Sequence, residues 1–84
     1  MAYRVRLTDR VRLQLQDAPP QLQGFVAGVV AFLQVDPSAA SVAFPVITHE
    51  DYRTIVVADG RGFLDDQVFE DRKLVVIDEL TWLS

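Results

Sequence analysis

The sequence contains no cysteine and only one histidine, His49. The first absence excludes disulfide staples, thiolate metal sites and a cysteine nucleophile, and the second excludes a histidine-rich metal site within one chain. Long apolar runs are also missing. The longest, Phe25 to Leu33, is far short of the ~20 residues that span a bilayer, so no membrane partner is expected. The opening Met-Ala-Tyr-Arg-Val-Arg lacks the apolar core of a signal peptide, and the expected location is the cytoplasm. No internal repeat, low-complexity tract or linker divides the chain, which predicts a single domain over residues 1–84 with no cofactor.

What is present is an uneven charge distribution. At 84 residues there is room for one small core that buries roughly 60% of the unfolded chain's surface, a size at which a bound partner matters to stability. The net charge of −4 conceals a basic front, with Arg4, Arg6, Arg10 and Arg12 against Asp9 alone up to residue 16. Behind it, residues 47–84 hold nine acidic side chains against Arg53, Arg61, Arg72 and Lys73. A protein built chiefly to grip a nucleic-acid backbone would carry the opposite total, because affinity there comes from Lys and Arg. Most of these charges read as solvated faces that keep an apolar chain in solution.

The elements follow from periodicity. Strict alternation over Tyr3 to Leu7 predicts a strand with Tyr3, Val5 and Leu7 on one face. Thr8 caps a short helix from Asp9 to about Asp17 that buries Val11, Leu15 and Ala18 and leaves Gln14 mostly outside; Leu13 fits that stripe poorly. Pro19-Pro20 ends this helix, and Pro20 opens the next. There Leu22, Phe25, Val26, Val29 and Leu33 form one apolar stripe at helical spacing, stopped by Asp36-Pro37. Gly24 and Gly28 in that helix predict a close neighbour at each. Ser38 to Pro45 reads as a connector, and Val46-Ile47-Thr48 as a short strand or a lead into the next one.

The stretch that organises the rest runs from Ile47 to Leu83 and reads as a meander of three consecutive antiparallel strands. Asp51 to Ala58 is rich in β-branched and aromatic residues and stops at Asp59-Gly60, a turn signal. Phe63 to Glu70 follows, then Leu74 to Ile77, an unbroken apolar run that predicts a central strand. The fold class expected is α+β in the order β-α-α-β-β-β: a helical hairpin on one side of a four-stranded antiparallel sheet, whose other side is free to meet a macromolecule.

The order of elements, the opening Tyr3-Arg4-Val5-x-Leu7-Thr8, the turn after the long helix, the Tyr52-Arg53 strand and the run Val68 to Ile77 together resemble the RelE/ParE family of bacterial toxins, over nearly the whole chain. The resemblance implies a compact toxin of a type II toxin-antitoxin pair, bound by a cognate antitoxin. In the RelE branch it implies metal-independent cleavage of messenger RNA on the ribosome. There, basic side chains on the open sheet face neutralise charge while the RNA's own 2′-hydroxyl attacks the phosphate. The corresponding candidates are Arg53, Arg61 and Lys73, with Arg72 beside them. Where the family's second meander strand commonly carries arginine and tyrosine, this sequence has Asp65 and Asp66, which repel phosphate.

Three functional readings therefore stand: RNA cleavage, inhibition of DNA gyrase by protein contact as in the ParE branch, and an interaction module without toxicity. A homodimer is compatible with each. Asp65 and Asp66, being consecutive on a strand, point to opposite faces and cannot share a proton or a cation. One of them is expected to meet Arg53, a front arginine or an antitoxin arginine. Trp82 reads first as an edge of the core; the alternative reading makes Leu80, Trp82 and Leu83 part of a partner surface on an exposed terminal strand. His49, beside Glu50 and Asp51, reads as a solvated loop residue, and Tyr52 as an edge of the core.

Overall fold

In a computed structural model, which describes residues 3–83, the elements run β1 (Arg4–Leu7), α1 (Asp9–Gln16), α2 (Pro20–Val35), α3 (Ala40–Ala43), β2 (Val46–Thr48), β3 (Arg53–Val57), β4 (Gly62–Phe69) and β5 (Leu74–Trp82). The α+β class is as expected, but the sheet is mixed and has five strands in the order β1-β5-β4-β3-β2. Val46-Ile47-Thr48 is a strand in its own right, pairing antiparallel with β3 at one edge. At the other edge β1 runs parallel to β5, from Arg4 beside Leu74 to Leu7 beside Ile77.

The parallel pairing follows from how the chain leaves β1. Thr8 accepts at its hydroxyl from the Val11 N–H, so α1 starts at once. It runs on beside the second half of β5, where Gln14 Nε2 donates to the Leu80 carbonyl at 3.1 Å. Gln14 is thus turned inward, contrary to its expected place outside. The helices and then β2, β3 and β4 all lie between β1 and β5 in the chain; a connection of that length suits parallel neighbours, which a hairpin cannot join. Gln23 Nε2 ties the helices together by donating to the carbonyls of Leu15 and Ala18.

One face of the sheet is covered. Leu22, Val26, Val29 and Leu33 of α2 and Val11 of α1 are buried against Ile55, Val57, Leu64, Val75, Ile77 and Leu80. The predicted helix stripe is the one that packs, and Leu13 is 62% exposed as its poor fit implied. Two expectations fail nearby. A Cβ added at Gly24 or Gly28 would meet nothing within 4 Å, so no close neighbour explains either glycine. Gly62 is the tight position, since a Cβ there would lie 2.7 Å from Val57 Cγ2. The connector after α2 is also more ordered than expected: Pro37–Ala39 makes a 3₁₀ turn, and α3 follows.

β5 continues well beyond Ile77 because it contains a bulge. Asp65 pairs with Glu79 while Asp66 pairs with Ile77, which leaves Asp78 as the extra residue. The bulge shifts the alternation by one, so Val75 and Ile77 before it and Leu80 and Trp82 after it all face the helices. The unbroken apolar run marked the strand's first half; the shifted parity conceals which residues of the second half face the core. No helix among the described residues is long and apolar enough to cross a membrane.

Candidate functional site

The uncovered face of the sheet is the surface the fold leaves available, and strand alternation decides what stands on it. Tyr3, Val5 and Leu7 pack toward the core, which puts Arg4 and Arg6 of β1 on the open side, beside Leu74 and Val76 of β5. Further along the same face come Asp65 opposite Glu79 and Thr54 opposite Asp65. The face is therefore polarised, with a basic edge on β1 and a carboxylate group at the centre of the sheet.

The carboxylates sit in an open hollow of about 330 Å³ lined by Tyr52, Asp65, Gln67, Asp78 and Glu79. Thr54 Oγ1 donates to Asp65 Oδ1 at 2.7 Å, and His49 Nε2 lies 3.1 Å from the same hydroxyl. With the threonine's one proton committed to Asp65, the imidazole is the donor in this chain. His49 also stacks on Tyr52 with ring centroids 4.3 Å apart, and Arg10 reaches Glu79 at 3.4 Å. Burial pushes the Asp78 carboxyl above its ordinary range, and the neighbouring charges of Asp65, Glu79 and Asp66 push it the same way.

The three residues put forward for catalysis are not brought together. Arg53 was expected on the open face, but it shares the side of β3 that carries Ile55 and Val57, under the helices. There its Nε and Nη2 donate to the two oxygens of Asp66 at 3.0 and 2.7 Å, and Nη1 donates to the Pro37 carbonyl at 3.0 Å. Arg61 lies over the Trp82 ring at one end of β4, and Lys73 over the Tyr3 ring past the other end. The eight residues of β4 lie between them, a span of about 27 Å at strand rise. No single phosphate can touch this set.

The expected partner residues divide in the same way. Asp65 is on the open face and Leu83 is 52% exposed. Asp66 is fully buried and paired with Arg53, which is one of the alternatives the alternating strand allowed, so it is not a contact for a partner. Leu80 is 4% exposed and belongs to the core, against which Trp82 packs as well. The exposed terminal strand expected around them is instead paired with β4 through Trp82 and flanked by α1. Sequence reasoning missed the pairing of Asp78 and Glu79 on this face, since only the bulge brings both into the hollow. Among the described residues, no group of three or more His, Cys, Asp or Glu side chains is placed to hold a metal ion.

At the far end of the sheet, Tyr3 Oη donates to Glu70 Oε1 at 2.5 Å, and this bond is the main reason the phenol is held above its usual pKa. Asp36 is held below the usual aspartate range, first by the Ser38 N–H and then by the Ser38 hydroxyl. Both clusters fix turns and lie away from the carboxylate hollow.

No family model and no curated protein matches the sequence. Solved structures do match the fold. A RelE–RelB complex from the archaeon Pyrococcus horikoshii contains a chain with a TM-score of 0.76 at 21% identity, covering 98% of this chain and 96% of that one. The isolated E. coli RelE toxin matches with a TM-score of 0.63 at 15% identity over 99% of this chain and 86% of its own. A free mutant form of E. coli RelE gives 0.61 at 16% identity, covering 98% and 84%. The architecture is that of RelE toxins, as the order of elements implied.

Proposed function

We propose that this protein is the toxin-type member of a toxin-antitoxin pair, neutralised by a protein antitoxin, and that it acts by protein contact and not by cutting RNA. The fold supports the first part, since solved structures that share it include a RelE–RelB complex and isolated RelE toxins. One observation carries the second. The centre of the open sheet face presents Asp65, Asp78 and Glu79, while Arg53, Arg61 and Lys73 are buried in a pair or spread along the length of β4. A phosphodiester brought to that centre meets carboxylates, and the developing negative charge of phosphoryl transfer has no converging cations to stabilise it. A protein target such as DNA gyrase requires no such cations.

The test has two arms. Inducing the protein alone in a bacterial host should slow growth, and co-expressing the product of the reading frame beside it should restore growth. Arg61→Ala and Lys73→Ala should leave the growth defect in place. Growth unaffected by induction contradicts the toxin reading, whereas a defect abolished by Arg61→Ala or Lys73→Ala restores the nuclease reading.

A further inference from the structure

The open face carries charges of both signs, and they are separated. Arg4 and Arg6 lie at the β1 edge and make no salt bridge with any described residue. Asp65, Asp78 and Glu79 lie at the centre of the sheet, where among the described residues only Glu79 has a basic partner, Arg10. Leu74, Val76 and Gln67 stand between the two sets and Phe63 beyond the acids. A surface with this arrangement is complementary to itself. Turned over about a two-fold axis lying between the sets, the basic edge of one copy meets the acids of the other, and the same contact is made a second time.

We propose that two copies of this chain associate face to face through the open side of the sheet, Arg4 and Arg6 of each copy meeting Asp65, Asp78 and Glu79 of the other. The size of the face is adequate. The five strands hold 29 residues between them (4, 3, 5, 8 and 9). At about 3.4 Å rise and about 4.8 Å spacing they give roughly 500 Å² per copy in projection, so full overlap buries about 1,000 Å² for both, the lower limit for a specific interface. Half-buried Val76 and Phe63 would lose their remaining exposure on association. The proposal does not depend on the toxin-antitoxin reading, because it uses only the charges and shape of this face.

Salt gives a test that separates this contact from general association. Each copy carries a net charge of −4, so non-specific self-association strengthens when salt screens the repulsion between copies. Association through four arginines and six carboxylates weakens instead. Sedimentation equilibrium of the purified chain at 50 mM and 500 mM NaCl should show a dimer whose dissociation constant rises at least tenfold at the higher salt. The charge-reversed variants R4E/R6E and D65R/E79R should each be monomeric at low salt, with far-UV circular dichroism confirming that they fold. Mixed in equal amounts, they should form a one-to-one dimer. A chain that is monomeric at every concentration and salt overturns the proposal and leaves the face to an unlike partner. A dimer that tightens with salt, or one that survives R4E/R6E, also overturns it.

Discussion

Asp66 shows most directly how this sequence divides its charges between structure and surface. It is a fully buried acid in the middle of β4, and it is tolerable there because Arg53 grips both carboxylate oxygens while holding the Pro37 carbonyl with its third nitrogen. Removing one member leaves the other uncompensated in the core. Arg53→Ala and Asp66→Ala should each lower unfolding free energy by roughly 3–5 kcal/mol, measured by urea denaturation, a large part of the 5–15 kcal/mol typical of a small domain. Replacing both by leucine should cost clearly less than either single change. One residue before it in the strand, Asp65 belongs to the surface, and with Glu79 it crowds Asp78. The folded state raises the Asp78 pKa above the ordinary 3.8, so folding favours its protonated form. Its contribution is therefore fully present below pH 3.8 and is lost as pH rises through the folded value. Asp78→Asn should raise the thermal midpoint at pH 7, and the gain should shrink as pH falls toward 3.8.

At the scale of elements, α2 was legible almost residue for residue. Its apolar stripe, its opening at Pro20 and its stop before Pro37 are all local signals, and the stripe is the one that packs. Its glycines were misread, because glycine in a helix has two explanations and only one involves a neighbour. With nothing within 4 Å of either site, Gly24→Ala and Gly28→Ala should each stabilise the protein, by up to ~1 kcal/mol, in the same denaturation experiment. A close neighbour would have given the opposite sign. β5 was legible as a strand to its end, but the faces of its residues only to Ile77, since the alternation resumes one residue out of step after Asp78. β1 was recognised as a strand, but its direction in the sheet was not. Orientation depends on the whole path of the chain from β1 to β5, and no pattern within Arg4–Leu7 records it. The candidate site suffered most, because a side chain's face depends on register: Arg53 and Asp66 are opposite one another on the covered side, which the resemblance alone did not reveal.

The whole molecule has the architecture of the RelE toxin structures it matches, and the surface that this fold leaves open carries carboxylates at its centre. Of its basic side chains, Arg53 is held in a buried pair, Arg61 and Lys73 lie over aromatic rings at the two ends of β4, and Arg4 and Arg6 stand on the β1 edge, while the centre of the sheet is acidic. Chemistry at that centre is set by charge and convergence, not by the fold that presents them. The most direct measurement adds purified protein to ribosomes translating a defined message and maps the 5′ ends of the RNA. The account predicts that no new ends appear at any protein concentration. New ends at defined codon positions, removed by Arg61→Ala or Lys73→Ala in protein that remains folded, would contradict it.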